Sequence, residues 1–240
     1  MNILEKYYGK VLHTSFKVIN PLKKIIINTH CRVHIFINMQ ALTILKVNHY
    51  TKEYKFFSKH IKTINEGAVW ADQDFKSNGH FYHPYKRKGI YGGNNALNLA
   101  KNYYNKSIYF WNINKVDKSM FYLGACMHII QDMTIPQHAN IKLLDNHRQF
   151  ETFVKKHHNS IKELICNKKP IMLSSIDKFV RFNARFSLKM NIKFKNIKNT
   201  QQRFYKISKN VLPLAQRTTA GCMVFFYNNV VKKISPDFKV

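Results

Sequence analysis

The chain has 240 residues, 45% of them hydrophobic, enough to bury one sizeable core; a disordered or fibrous chain is excluded. Its 40 basic and 12 acidic residues give a net charge of +28, a balance that draws a protein to polyanions, either nucleic acid or an anionic membrane surface. No run of 18 apolar residues exists, so no transmembrane helix is expected, and four scattered cysteines without a C-x-x-C pair suggest buried or inert thiols, not a disulfide framework or a cysteine zinc site.

Residues 1–20 read as a short amphipathic or irregular arm, ended by Pro21, without the apolar core and cleavage site of a signal peptide. Asn28 or Thr29 is the expected N-cap of a helix over the apolar stretch 31–48. A second, polar-faced helix is predicted over 50–66. Gly67 and Gly79, with Ser77, Asn78 and Pro84, mark the next stretch as loop, with Trp70 as a core anchor. Two more helices are predicted over 93–112 and 116–131. Asp145 or Asn146 caps a further helix running from His147 towards Ile165, with His157 and His158 facing solvent. Residues 166–200 interleave aromatic and basic side chains (FVRFNARFSLKMNIKFK), which suits contact with lipid headgroups or bases, or a solvated helix with an apolar face. A last helix around Leu214–Gly221 packs the core. The helical periodicity, scarce glycine and proline, and absence of repeats predict an all-α fold: an arm over 1–27, then a single multi-helix domain over 28–240.

Chemistry concentrates in Phe121–Phe153. His128 and Asp132 are four residues apart, as are His147 and Glu151, and His138 lies between the pairs, two residues after Pro136. Positions i and i+4 share one helix face, so each pair points an imidazole and a carboxylate at one spot. One such pair is usually a surface hydrogen bond. Two pairs and a spare histidine within 24 residues, in a chain starved of acid, point to a divalent metal with nitrogen and oxygen ligands, zinc above all.

These residues resemble the bacterial zinc-dependent phospholipases C of the alpha-toxin type. The family pattern, H-x-x-x-D, a proline, a histidine, then H-x-x-x-E, is met by His128, Asp132, Pro136, His138, His147 and Glu151; the words FYLG at 121–124, GHFYHP at 79–84 and AQRTTAG at 215–221 resemble it too. The resemblance covers roughly 28–228 and is weakest over 155–205. It implies a zinc cluster in a cleft of a helical domain. One ion would use Asp72, His80, His128 and Asp132, with Asp74 the alternative to Asp72; a second would use His138, His147 and Glu151; a third would use His30, with Asp132 as bridge. Asp72 would orient or deprotonate the attacking water. His34, one turn beyond His30, is expected to be only packed or exposed. The chain departs from the family at Ile129, at Gln131, which crowds the site, and at Asn140, one place early. The family also binds its third zinc through an N-terminal Trp, whereas both tryptophans here, Trp70 and Trp111, follow His30; two zincs are therefore expected to bind firmly and the third weakly or not at all.

The implied activity is phospholipase C hydrolysis of phosphatidylcholine-type lipids at a membrane surface, by a monomer, giving diacylglycerol and a phosphorylated headgroup. The alternatives are a single-strand nuclease of the same fold, which the charge suits, and a catalytically weakened relative that binds a membrane or another polyanion. An AT-rich coding bias explains the lysines, but less well the missing acids. The family is secreted; the N-terminus here leads to the expectation of a cytoplasmic or non-classically exported protein.

Overall fold

The computed structural model describes residues 31–73, 79–90, 95–141 and 146–234. Its helices are α1 (Arg32–Val47), α2 (Thr51–Ala71), α3 (Ala96–Asn112), α4 (Val116–Asp132), the short α5 (Pro136–Asn140), α6 (His147–His157), α7 (Ile176–Lys193) and α8 (Thr200–Phe226). A π turn at Tyr227–Val231 and one helical turn at Lys232–Ile234 follow α8. Extended pairing among the described residues is a single bridge, His83 with Lys88. The fold is all-α, as the periodicity predicts. The arm over 1–27, the Asn28 and Thr29 caps, His30, Asp74, Ser77, Asn78 and Asp145 lie outside the described residues.

Helix α4 is the hub. From Leu123 to Asp132 every residue is buried, the mark of a helix enclosed on all sides. It packs most extensively against α2 and α3. Gly67 of α2 and Gly124 of α4 make the first contact possible. A Cβ on Gly67 would stand 1.8 Å from the Phe121 carbonyl oxygen, and one on Gly124 would stand 2.0 Å from that of Ile64. The two backbones touch where side chains would otherwise separate them. The α3–α4 contact is polar at its centre: Ser107 Oγ donates to the Ser119 carbonyl and Ser119 Oγ to that of Ser107, both at 2.8 Å.

The predicted loop after residue 66 is therefore corrected. Helix α2 continues to Ala71, because Gly67 serves a close helix crossing and not a turn. Helix α6 ends at His157, well before Ile165; the chain then makes a 3-10 turn at Lys162–Leu164. His158 is buried, edge-on to Phe36 at 4.8 Å, and not solvent-facing. The stretch 166–200 contains a full helix, α7, capped by Ser175, whose hydroxyl accepts from the Lys178 N–H. Preceding it, residues 164–171 are laced to α8: Gln216 Oε1 accepts from the Cys166 N–H, Gln216 Nε2 donates to the Leu164 carbonyl, and the Ile171 N–H donates to that of Arg217. All four cysteines are free and buried, as expected.

Two apolar clusters result. One surrounds α4 with α2, α3, α7 and the end of α8. The other joins Ile37 of α1, Phe150, Phe153 and Val154 of α6, and Phe204 to Ala215 of α8. Helix α7 also satisfies the carbonyls that the end of α4 leaves unpaired: Asn183 Nδ2 donates to Ile130 O at 2.8 Å and Ser187 Oγ to Met133 O at 2.9 Å. The last turn of α4 is thus held from outside. No helix among the described residues is long and apolar enough to cross a membrane.

Candidate metal centre

The C-terminal turn of α4 brings His128 and Asp132 together, with Nε2 3.2 Å from Oδ2. The first turn of α6 does the same for His147 and Glu151, at 2.9 Å. Each pair is the consequence of i,i+4 spacing on a helix. Each helix is seated on a different apolar cluster, so the site spans the junction of the two.

Three other elements complete it. Asp72 caps the C-terminus of α2. His80 and Phe81 lie in the loop that leads to the His83–Lys88 bridge, and His138 is on α5. His138 Nδ1 donates to the His80 carbonyl at 3.1 Å, and the Tyr82 N–H donates to the His138 carbonyl at 3.1 Å. The two segments hold one another. Phe81 stacks flat on the His138 ring, 4.5 Å between centroids and 11° between planes. With Nδ1 donating, His138 turns the lone pair of Nε2 towards His147 and Glu151, the usual way an outer hydrogen bond fixes a metal-ligating imidazole.

A sixth element is α1, which supplies an imidazole expected to be only packed or exposed. His34 is neither exposed nor merely packed. Its ring stacks on His128 at 4.0 Å, and its Nε2 is 3.5 Å from Asp132 Oδ1. Gln131 explains the orientation. Its amide nitrogen donates to Asn38 Oδ1 and Thr219 Oγ1, so its oxygen accepts from His34 Nδ1, at 2.8 Å. The residue expected to crowd the site aims His34 into it. The available signal was Asn38, a polar residue one turn beyond His34 and fully buried in an apolar helix. Cys31, also unassigned, donates from Sγ to Asp72 Oδ2 at 3.3 Å.

Three sets of ligand atoms converge within 4.8 Å: Asp72, His80 and His128; His34, His128 and Asp132; and His138, His147 and Glu151. The first set lies within the expected foursome with Asp132, the third joins the three residues expected together, and the second adds His34 to His128 and Asp132; His30 lies outside the described residues. The sets fit a metal better than they fit each other. Asp132 Oδ2 lies 2.7 Å from His80 Nδ1 and 3.7 Å from His138 Nδ1, yet neither it nor His80 Nε2 nor either His128 nitrogen is aligned for a hydrogen bond. Buried polar atoms are almost always paired. The Nε2 atoms of His138 and His147 face each other at 2.7 Å; two lone pairs so placed repel unless a proton or a cation lies between. The donor set, imidazole with carboxylate, is that of zinc.

Electrostatics agree. Burial pushes the Asp132 carboxyl up, but the imidazoles of His128 and His138 overcome that and hold it well below the carboxylate range. Glu151 is held low in the same way, burial being outweighed by His138 and His147. His138, which burial pushes down, is carried up to about 9 by Asp132 and Glu151. His34 goes the other way, to about 4, because burial and then His128 both disfavour its charge. Protons on some rings stand in for the positive charge that the carboxylates require. Burial is graded: His80, His128, Asp132 and His138 are buried, while Asp72, His147 and Glu151 are half-buried and form the accessible side.

A family model described as zinc dependent phospholipase C matches residues 33–215. Among solved structures, the alpha toxin from Clostridium absonum is similar with a TM-score of 0.72 and 17% identity, covering 86% of this chain and 65% of that one. The Clostridium perfringens alpha-toxin from avian strain SWCP gives 0.69 and 19%, covering 85% and 65%. At these identities the likeness is one of fold. The chain spans about 65% of the length of those structures. No curated protein matches it.

Proposed function

We propose, from the premise that this chain belongs to the zinc-dependent phospholipase C family, that it hydrolyses the phosphodiester of phosphatidylcholine-type lipids. Water's oxygen forms the new bond to phosphorus, the bond from phosphorus to the glycerol oxygen breaks, and that oxygen leaves with a proton. The products are diacylglycerol and a phosphorylated headgroup. The supporting observation is the convergence of eight histidine and carboxylate side chains, three of which, His80, His128 and Asp132, carry buried atoms without a hydrogen-bond partner.

Asp72, His80, His128 and Asp132 would hold one zinc, and His138, His147 and Glu151 a second. A third position draws on His34 with Asp132, or on His30. With so few protein ligands it binds more weakly than the other two. Bound zinc supplies Lewis acidity towards phosphate oxygens and water. The chain's own residues do the rest. His138 and His34 are held in one tautomer by the His80 carbonyl and by Gln131. Asp72, half-buried and with Oδ2 engaged by Cys31, would orient or deprotonate the attacking water where it is not fully engaged as a zinc ligand. Substrate would approach from the side of His147 and Glu151, which are half-buried where His80, His128, Asp132 and His138 are buried.

The test is release of phosphorylcholine from phosphatidylcholine micelles beside cleavage of single-stranded DNA, with zinc counted by native mass spectrometry. Lipid turnover well above DNA cleavage is expected, and His147→Ala should lose zinc and activity together. The reverse substrate ranking would move the chain to nuclease chemistry; full zinc in His147→Ala would remove that ligand. Three tightly held zincs in the intact chain would refute the weak third position.

A further inference from the structure

Outside the metal centre, α7 lays out its solvent face in an unusual way. Its inner face is buried through Phe179, Val180, Ala184 and Leu188. A helix so seated normally turns polar side chains outward. Here Phe182, Arg185, Lys189 and Ile192, spaced by three, four and three, form one exposed outer stripe, with the half-buried Phe186 beside it. Phe182 is 38% exposed and Ile192 64%. The stripe faces the turn at His83–Lys88. His83 Nδ1 accepts from the backbone N–H of Tyr85 and Lys86, the His83 N–H donates to the Lys88 carbonyl, and the turn presents Tyr85 at 68% exposure. Tyr85 leans on α7, its ring centre 5.8 Å from the Arg185 guanidinium.

Between turn and helix runs a groove of about 580 Å³ with a mainly apolar lining; Arg185 and Lys189 line it and, among the described residues, no acidic one does. Lys86, Arg87 and Lys88 stand exposed beside it. Two segments link the groove's lining to the metal centre: His83 follows His80 by three residues, and Asn140 follows His138 by two. Apolar side chains that project next to unpaired cations fit a surface that is anionic outside and apolar just beneath. Nucleic acid offers the charge but nothing for Phe182 and Ile192 at its phosphate edge.

We propose that this groove and its basic turn dock the protein on anionic phospholipid bilayers, seating an anionic headgroup at Arg185 and Lys189 while Phe182, Tyr85 and Ile192 enter the acyl boundary. The docked lipid is distinct from the one cleaved. The surface lies beside the centre read above as a phospholipase, and its function rests on that reading; its binding does not.

Each cation at an anionic surface contributes about fivefold in partitioning. Arg185→Gln with Lys189→Gln should therefore weaken co-sedimentation of the zinc-loaded protein with mixed phosphatidylcholine–phosphatidylglycerol vesicles by about twenty-five-fold. Lys52→Gln with Lys55→Gln removes the same charge from exposed positions at the start of α2 and should cost less than about threefold, because surface attraction fades within a Debye length. Ile192→Ser, too exposed to endanger folding, should weaken the binding that persists at high salt. Equal losses in the two double variants would overturn the proposal in favour of net charge alone. Loss of single-stranded DNA binding with vesicle binding intact would overturn it in favour of a nucleic-acid surface. The phospholipase reading fails separately, if wild type does not hydrolyse a soluble short-chain phosphatidylcholine.

Discussion

Replacing Gly124 by alanine adds one carbon at the tightest point between α2 and α4. That carbon would stand 2.0 Å from the Ile64 carbonyl oxygen and 2.8 Å from its carbon, both backbone atoms. Ordinary contact begins near 3.4 Å, so the helices must part by more than 1 Å. A gap of 0.5–1 Å already forfeits about a quarter to a half of each dispersion contact across an interface. Overpacking costs about 1–3 kcal/mol, and with no flexible side chain to yield the upper end applies. Alanine's better helix propensity returns about 1 kcal/mol. The net loss of about 2 kcal/mol corresponds to a Tm lower by about 4–8 °C in a protein of this size. Thermal unfolding of wild type and Gly124→Ala, each in chelator and in zinc, measures it. The deficit should persist in both. A variant that melts at or above the wild-type temperature would show that the helices can separate freely, and the account of the α2–α4 contact would be wrong.

Gln131→Leu removes the acceptor for His34 and the donors to Asn38 and Thr219; loss of such a supporting hydrogen bond costs about 10–100-fold in metal affinity. Zinc held through His34 should weaken by that much in chelator competition while the His138–His147–Glu151 site is unchanged; equal weakening of both would mean general unfolding. In metal-free protein His138 has a folded pKa of about 9, above its ordinary 6.5. Its contribution to stability is complete below pH 6.5 and disappears as pH rises through about 9, so Tm in chelator should fall over that window, and saturating zinc should abolish the slope because the ring no longer carries the proton. Zinc added near pH 7 should release protons, read by titration calorimetry in buffers of different ionisation enthalpy; no release would refute a protonated His138.

Much of the centre was legible because helical spacing is local. His128 with Asp132, and His147 with Glu151, need only their own helix to meet. His138 was reached as the spare histidine between those pairs, and Asp72 and His80 through resemblance; the structure brings Asp72 and His80 to His128, and His138 to His147 and Glu151. His34 was not legible: what orients it is Gln131, 97 positions along the chain, and within α1 only the polar Asn38 hints at a buried polar partner, without saying which. The end of α2 was misread for the same reason. Gly67 looks like punctuation when read locally; its purpose is a carbonyl at Phe121 on another helix. The stretch before α7 was unreadable because it is fixed by side chains of α8, such as Gln216, and not by its own periodicity.

The glycine contact between α2 and α4 also acts as a gauge block. Asp72 lies five residues beyond Gly67, and His128 four beyond Gly124. The spacing of their helices is therefore set by backbone against backbone, the least compressible contact a protein can make. Side-chain substitutions elsewhere in the core change how much energy holds the helices together, but they do not change where the helices stop. Mutational drift in the core can thus erode stability while leaving the distance from Asp72 to His128 in calibration. In this chain, robustness of the ligand geometry is separated from robustness of the fold.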